Sequence, residues 1–407
     1  LKNYLEFEIW ILEFDQGLLM TESYDIVVIG AGPAGSSAAR AAAQRGAKVL
    51  LIDRKQRIGI PVQCAEFVPR WISRDASFSS TCVMQKVETM VTHLPNGASY
   101  EMKSPGYMLD RSLFDKEMAA SAILSGARIS IGTRAIGLSP EGLMVEHGSK
   151  KEIIQSELFI GADGASSAVA RFVGRNPLKT IAALQVEVIL SEPQSSVDVF
   201  FHRDYEGGYG WFFPKGRTVN VGMGLTSSKA SQLPDLLENF LDFLRRSGKL
   251  RKIQIVSKTG GRIPCESDQK GLFKNVLLVG DAAGHAHPIT GAGISNAVIA
   301  GEIAGRIAAK AIEAGDLRYL ANYETECRET FGESLWFGAL KRRFLEENWN
   351  EPGMDFERLI RETWIGFKEY YRHRRQMSLH PPRRWNIMES QAGRKDLERK
   401  ETHGTED

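Results

Sequence analysis

An α/β fold, with a parallel sheet into which antiparallel sheet is inserted, is predicted by three features of the sequence. A glycine-rich turn, Gly30-Ala31-Gly32-Pro33-Ala34-Gly35, joins a β-branched run to an alanine-rich one. Two further glycine turns lie far downstream, at Gly161-Ala162-Asp163-Gly164 and at Gly280-Asp281-Ala282-Ala283-Gly284. Between them several segments alternate with a period of two, which is the pattern of half-buried antiparallel strands.

The first turn is read element by element. Ile26 to Ile29 forms a strand and the segment Ser36 to Arg45 a helix, so the glycines sit in a strand-turn-helix unit. Gly30 permits the tight turn, Gly32 lets the backbone approach a pyrophosphate, and Gly35 lets helix pack on strand. Ala34 lies in the same turn, and the helix N-terminus after it attracts the anion. Ala39, Ala43 and Gly46 keep the helix thin against the sheet. The next apolar run, Val49 to Ile52, ends at Asp53 and Arg54. The spacing from Gly30 to Asp53 is close to the roughly 20 residues that separate such a turn from a ribose-binding acid, so Asp53 is expected to hold an adenosine ribose. By itself this unit does not separate FAD from NAD.

With all three turns in order, the sequence resembles the flavoprotein superfamily of aromatic hydroxylases and, within it, the geranylgeranyl reductase family. The resemblance implies FAD as the cofactor. It implies that Asp163 and Gly164 touch both the nucleotide and the flavin regions, and that the Gly280-Asp281 segment binds the ribityl-pyrophosphate part. Read without it, Asp163-Gly164 is also an ordinary turn and Asp281 a helix N-cap. Arg111, after Asp110 and at the head of a helix Ser112 to Leu124, is similar to a superfamily arginine that reaches toward FAD; a surface arginine near a helix start is the alternative. Gly291 and Gly293, after Pro288, can bring backbone close to the flavin. They open a helix Ile294 to Ala314 whose N-terminal field favours negative charge on the reduced ring.

The inserted sheet is read from a hairpin, Val87 to Leu94 and Ala98 to Met102 around Pro95-Asn96-Gly97, and from strands at 183–190, 197–202, 210–213 and 218–225. The predicted layout is a discontinuous Rossmann-like FAD-binding domain over 22–80, 107–175 and 262–330. A substrate domain covers 81–106 and 176–261, and C-terminal helices cover 331–376. Residues 1–19 form an extension before Met20, read either as an upstream addition to the true start or as a peripheral helix or strand. Residues 377–407 are polar and proline-punctuated and are expected to be disordered.

Two segments carry the reductase resemblance further: Pro61-Val62-Gln63-Cys64-Ala65-Glu66 and Tyr209-Gly210-Trp211-Phe212-Phe213-Pro214. The second follows the family's Pro-x-x-Tyr-x-Trp-x-Phe-Pro pattern except that Glu206 stands at the first proline. The resemblance implies that the aromatic strand lines the substrate cavity and that the cysteine segment lies near the flavin ring. Alternation puts Tyr209, Trp211 and Phe213 on one face and Phe212 on the other, which suits either a hydrocarbon-binding wall or a plain sheet core. Cys64 is the candidate proton donor and Tyr209 the second; Cys64 as a small buried hydrophobe is the other reading. His285 and His287 are read as loop structure or as proton carriers.

The reaction expected is hydride transfer from reduced FAD to an isoprenoid double bond, with a proton to the neighbouring carbon. Flavin-dependent monooxygenation of an apolar or aromatic substrate, and a non-catalytic flavin carrier, are the alternatives. No second nucleotide fingerprint follows Asp53, so an external electron donor is required: NAD(P)H, a deazaflavin or a ferredoxin.

Composition agrees with this reading. The 407 residues are 43% hydrophobic, enough for a sizeable core, and a net charge of +2 is too small to imply nucleic acid. Cys64, Cys82, Cys265 and Cys327 are scattered, with neither metal spacing nor a disulfide framework, which predicts a reducing cytoplasm and no metal. No run of about 18 apolar residues occurs. Between Trp336 and Trp385, Trp349, Trp364, Tyr370 and Tyr371 mix with Lys341, Arg342, Arg343, Arg372, Arg374 and Arg375. That blend suits peripheral contact with the inner face of a membrane. Glu346, Glu347, Glu351 and Glu362 dilute it, and a solvated helical cap over the cavity is the competing reading.

Overall fold

The computed structural model describes residues 23–267 and 270–372. The segments 1–19 and 377–407, Met20, Arg374, Arg375 and Trp385 fall outside these residues.

The β-branched run after Ser23 forms the strand Tyr24–Ile29 at the centre of a six-stranded sheet. It pairs in parallel with Val49–Asp53 on one side and Ser156–Gly161 on the other. Arg128–Ile131 and Val276–Leu278 extend the sheet, and Leu272–Phe273 closes one edge in the antiparallel sense. Successive side chains point to opposite faces, and both faces are covered. Ile26, Val28, Leu51 and Ile160 pack under the helices Pro33–Ala43 and Ile294–Glu313. Val27, Ile29, Leu50 and Phe159 pack on a three-stranded sheet spanning residues 133–154, which contributes Ala135, Leu143, Val145 and Ile154.

The two helices approach closely because small residues face each other. A side chain at Gly301 would overlap the carbonyl of Ala34, and one at Gly305 that of Ala38.

The second large sheet has eight strands, in the order Ile255–Pro264, Thr180–Ile189, Thr218–Thr226, Tyr209–Lys215, Ser196–Phe200, Val83–His93, Ser99–Leu109, Phe67–Pro69. The hairpin expected at Asn96-Gly97 is present, longer than predicted, with Met90 opposite Met102. One face of this sheet buries Phe212, Val221 and Met223 beneath the amphipathic helix Leu233–Arg246. The other holds Trp211, Phe213, Val197 and Val199 under the C-terminal helices Glu333–Asn348 and Phe356–Thr363.

Those helices absorb the aromatics that the sequence offered to a membrane. Trp349, Trp364 and Tyr370 are buried in the core, and Tyr371 alone of the four is exposed. Trp364 donates to Thr92 Oγ1 at 3.0 Å and Trp349 to the Arg203 carbonyl at 2.9 Å. The cap is fastened by Arg342, which donates to the carbonyl of Gly207 and to Glu346. Among the described residues no helix is long and apolar enough to cross a membrane.

Candidate functional site

The glycine turns converge at one rim. In the parallel sheet Ile29 lies opposite both Ile52 and Gly161, and Gly161 opposite Leu278. Gly30, Asp53, Asp163 and Gly280 therefore leave the carboxyl ends of adjacent strands, where ligands of such sheets bind.

The residues present fit a dinucleotide. Gly30 has φ +107°, and a side chain there would overlap the carbonyl of Ala162. A side chain on Gly32, by contrast, would meet nothing within 4 Å, so the backbone is bare on the side from which a pyrophosphate approaches. The helix Pro33–Ala43 begins at Gly32 with no side-chain cap, leaving its first amides for an anion. Asp53 is fixed at its strand end by accepting from the backbone N–H of Ala31 at 2.7 Å and of Lys55 at 2.8 Å. Arg54 beside it is exposed.

Asp281 is half-buried in the short turn Gly280–Ala283. Burial raises its carboxyl above the ordinary range, and the Arg111 guanidinium opposes that shift. Among the described residues no donor reaches this carboxylate, and it caps no helix. An acceptor left free at the rim suits the hydroxyls of a ribityl chain. Asp163 differs: its carboxylate accepts from Ser167 Oγ, the N-cap of the helix Ala168–Phe172, and from that helix's first two N–H groups, Ala168 and Val169. The following Gly164 has φ +82°, and a side chain there would meet nothing within 4 Å.

Arg111 opens the helix Arg111–Leu124, for which Asp110 is the N-cap. Its guanidinium grips Asp115 through two bonds of 2.8 and 3.0 Å and stands beside the Cys64 thiol. Gly293 begins the helix Ile294–Glu313, again without a side-chain cap, and Gly291 has φ +67°. The two histidines belong to the loop itself. His287 Nδ1 accepts from the N–H groups of Ile289 and Thr290, both at 3.3 Å. His285 is buried against Phe331, and burial lowers its imidazole to about 3, so it is neutral at physiological pH.

Cys64 is half-buried. Burial pushes its thiol above the ordinary value of 9.0, and the nearby Arg111 guanidinium and the Glu66 N–H, 3.2 Å from Sγ, pull the other way. The thiol is thus protonated at neutral pH yet faces two groups that stabilise a thiolate. Tyr209 donates its hydroxyl proton to the carbonyl of Thr290 at 2.5 Å, and burial raises the phenol. Tyr209, Trp211 and Phe213 share one face as alternation requires, and Phe212 the other. Gly222 makes room for Trp211, since a side chain there would overlap the indole.

Four residues that sequence reasoning passed over join this face: Glu66, Gln185, Lys215 and Asn220. Glu66, 3% exposed and at φ +70°, accepts from Lys215 Nζ at 2.7 Å, Asn220 Nδ2 at 2.9 Å and the Arg111 N–H at 2.9 Å. The signal was a polar residue at an inward position of an apolar strand, as at Asn220 between Val219 and Val221.

A bare glycine turn, a strand-end acid and a free carboxylate meet on one rim, and the chain matches the model of the FAD-dependent oxidoreductases over residues 25–60. It also matches the geranylgeranyl reductase catalytic domain over residues 181–263, the strands that carry the aromatic face. A digeranylgeranylglycerophospholipid reductase of Methanococcus vannielii is 36% identical over 76% of this chain and 83% of its own. The crystal structure of a geranylgeranyl bacteriochlorophyll reductase-like protein from Thermoplasma acidophilum superposes with a TM-score of 0.76. It is 25% identical and covers 88% of this chain and 96% of its own. The myxobacterial chondrochloren halogenase, 18% identical with a TM-score of 0.61 over 78% of this chain and 82% of its own, shares the fold alone. The chain belongs to the geranylgeranyl reductase family of FAD-dependent oxidoreductases.

Proposed function

We propose that this protein saturates carbon-carbon double bonds in the isoprenoid chains of a glycerophospholipid. The observation that carries the reading is that Gln185 ties the backbone carbonyl of Cys64, whose thiol burial keeps protonated, to the indole of Trp211 on an aromatic face that the family's catalytic-domain model covers. The relative from Methanococcus vannielii is a reductase of a digeranylgeranyl lipid, and this supports the substrate class.

Bound and reduced, FAD supplies the hydride, with electrons from an external donor. The protein supplies the rest. An isolated alkene accepts a hydride poorly, so protonation leads or accompanies transfer, and the proton adds to one alkene carbon as the hydride adds to the other. In this reading Cys64 gives that proton, and the Arg111 guanidinium and the Glu66 N–H beside its sulfur stabilise the thiolate left behind. Tyr209 is the weaker donor because its proton is held by Thr290. Trp211, Phe213 and Tyr209 offer the hydrocarbon an apolar face and keep water from the developing positive charge. Gly30, Gly32, Ala34, Gly35, Asp53 and Arg54 would hold the nucleotide, and Asp163, Gly164, Gly280, Asp281, Arg111, Gly291 and Gly293 would hold the remainder of the cofactor.

In this reading the protein is cytoplasmic and meets its lipid substrate by peripheral access to the inner membrane face. Support for that comes from the substrate class, since three of the four C-terminal aromatics are in the core. The test is a panel of an unsaturated archaeal-type glycerophospholipid, a polyprenyl quinone and a prenyl diphosphate, given to chemically reduced enzyme. The glycerophospholipid should be consumed fastest; preference for either of the others would overturn the substrate assignment.

A further inference from the structure

The segment Gln63 to Glu66 crosses the eight-stranded sheet in step with its strands. Gln63 Nε2 donates to the carbonyl of Gly260 at 2.7 Å. On the adjacent strand Gln185 Nε2 donates to the carbonyl of Cys64 at 3.1 Å. One strand further, Asn220 Nδ2 donates to the carbonyl of Ala65 at 3.2 Å, and on the next Lys215 reaches Glu66. Successive loop residues are thus tied to successive strands in the order of the sheet. The cysteine loop is held, at the backbone carbonyls of Cys64 and Ala65 and at its flanking side chains, by the eight-stranded sheet.

Gln185 differs from the other ties because it has a second bond. Its Oε1 accepts from the indole Nε1 of Trp211 at 2.8 Å, and both side chains are only 6% exposed. One amide, in one orientation, therefore satisfies a donor on the aromatic face and an acceptor on the cysteine loop. Neither bond can be exchanged for water without opening the core.

We propose that Gln185 is a positioning residue: it holds the Cys64 thiol at a fixed distance from the aromatic face and transmits any shift of the Trp211 indole to the cysteine loop. This rests on the reading of Cys64 as proton donor. Gln185 takes no part in the chemistry itself. A hydrocarbon seated against Trp211 would in this way be registered to the thiol that protonates it.

The test is alkylation of Cys64 by iodoacetamide in the FAD-loaded protein, followed by peptide mass spectrometry, with buried Cys82, Cys265 and Cys327 as internal references. Gln185→Met and Trp211→Phe should each raise the Cys64 rate roughly fivefold, the scale of one net hydrogen bond. The double variant should be no faster than either alone, because both break one link. Gln185→Glu, which as a neutral acid keeps one donor and one acceptor, should match the parent at acidic pH and the Met variant at alkaline pH. Trp211→Phe keeps an aromatic ring and carries the test if Gln185→Met fails to fold. Parent-like alkylation in both folded variants, or effects that multiply in the double variant, would overturn the proposal. Parent-rate turnover by Cys64→Ala would instead remove the proton-donor reading and leave the alkylation result standing.

Discussion

Glu66 and Lys215 form a buried ion pair at 2.7 Å between the cysteine loop and the aromatic strand. Two further donors, Asn220 Nδ2 and the Arg111 N–H, complete the shell of the carboxylate. Glu66→Gln leaves the ammonium without its counter-charge, which should cost about 3 to 5 kcal/mol of stability. Urea unfolding of the variant checks this; a loss below about 1 kcal/mol would mean that solvent reaches Lys215.

Gly32→Val should lose FAD while the fold persists. A branched side chain there meets no protein atom within 4 Å, so the variant is not strained by its own neighbours. It fills the space a pyrophosphate needs. The checks are flavin absorbance after gel filtration and circular dichroism of the apoprotein; a folded variant with full flavin content would refute the cradle.

Asp281→Asn should separate cofactor binding from stability. Because burial raises the native carboxyl, the stability contributed by its protonated form is complete below the ordinary value of 3.8. That contribution is lost as pH rises through the raised native value. The apo variant should therefore exceed the parent in thermal midpoint at pH 7 and converge with it at acidic pH. FAD should bind more weakly by about 1 to 3 kcal/mol. Titration of the apoprotein with FAD and melting curves at the two pH values measure both effects.

Cys64→Ala and Trp211→Ala should fail differently. Loss of a general acid predicts a fall in kcat of roughly 10² with flavin binding and flavin reduction near normal. Opening the aromatic face predicts a raised KM or an altered chain-length preference instead. Steady-state kinetics on one lipid series distinguish the two outcomes.

The strand-turn-helix rim was legible because its constraints are local: Gly30, Gly32 and Gly35 act within one turn, and Asp53 ends the next strand. The helix there starts at Pro33, ahead of the predicted Ser36, since proline is favoured in a first turn. The three-stranded sheet over 133–154 was missed although Leu143 and Val145 alternate and Gly148 turns the chain at φ +58°. The stripe of Glu66, Gln185, Lys215 and Asn220 was not legible. Its members are far apart in sequence, and only strand order brings them onto one loop. Trp349 and Trp364 show the same limit, since composition could not tell a membrane-facing aromatic from one buried under a helix.

The central claim is reduction of an isoprenoid double bond by this protein's own reduced flavin. Its most direct test is anaerobic mixing of the photoreduced enzyme with an unsaturated isoprenoid glycerophospholipid, following flavin absorbance and product mass together. The flavin should reoxidise in proportion to added lipid, with the product gaining a pair of hydrogens for each bond saturated. Reoxidation that requires oxygen, with oxygen appearing in the product, would contradict the account and assign the protein to monooxygenation.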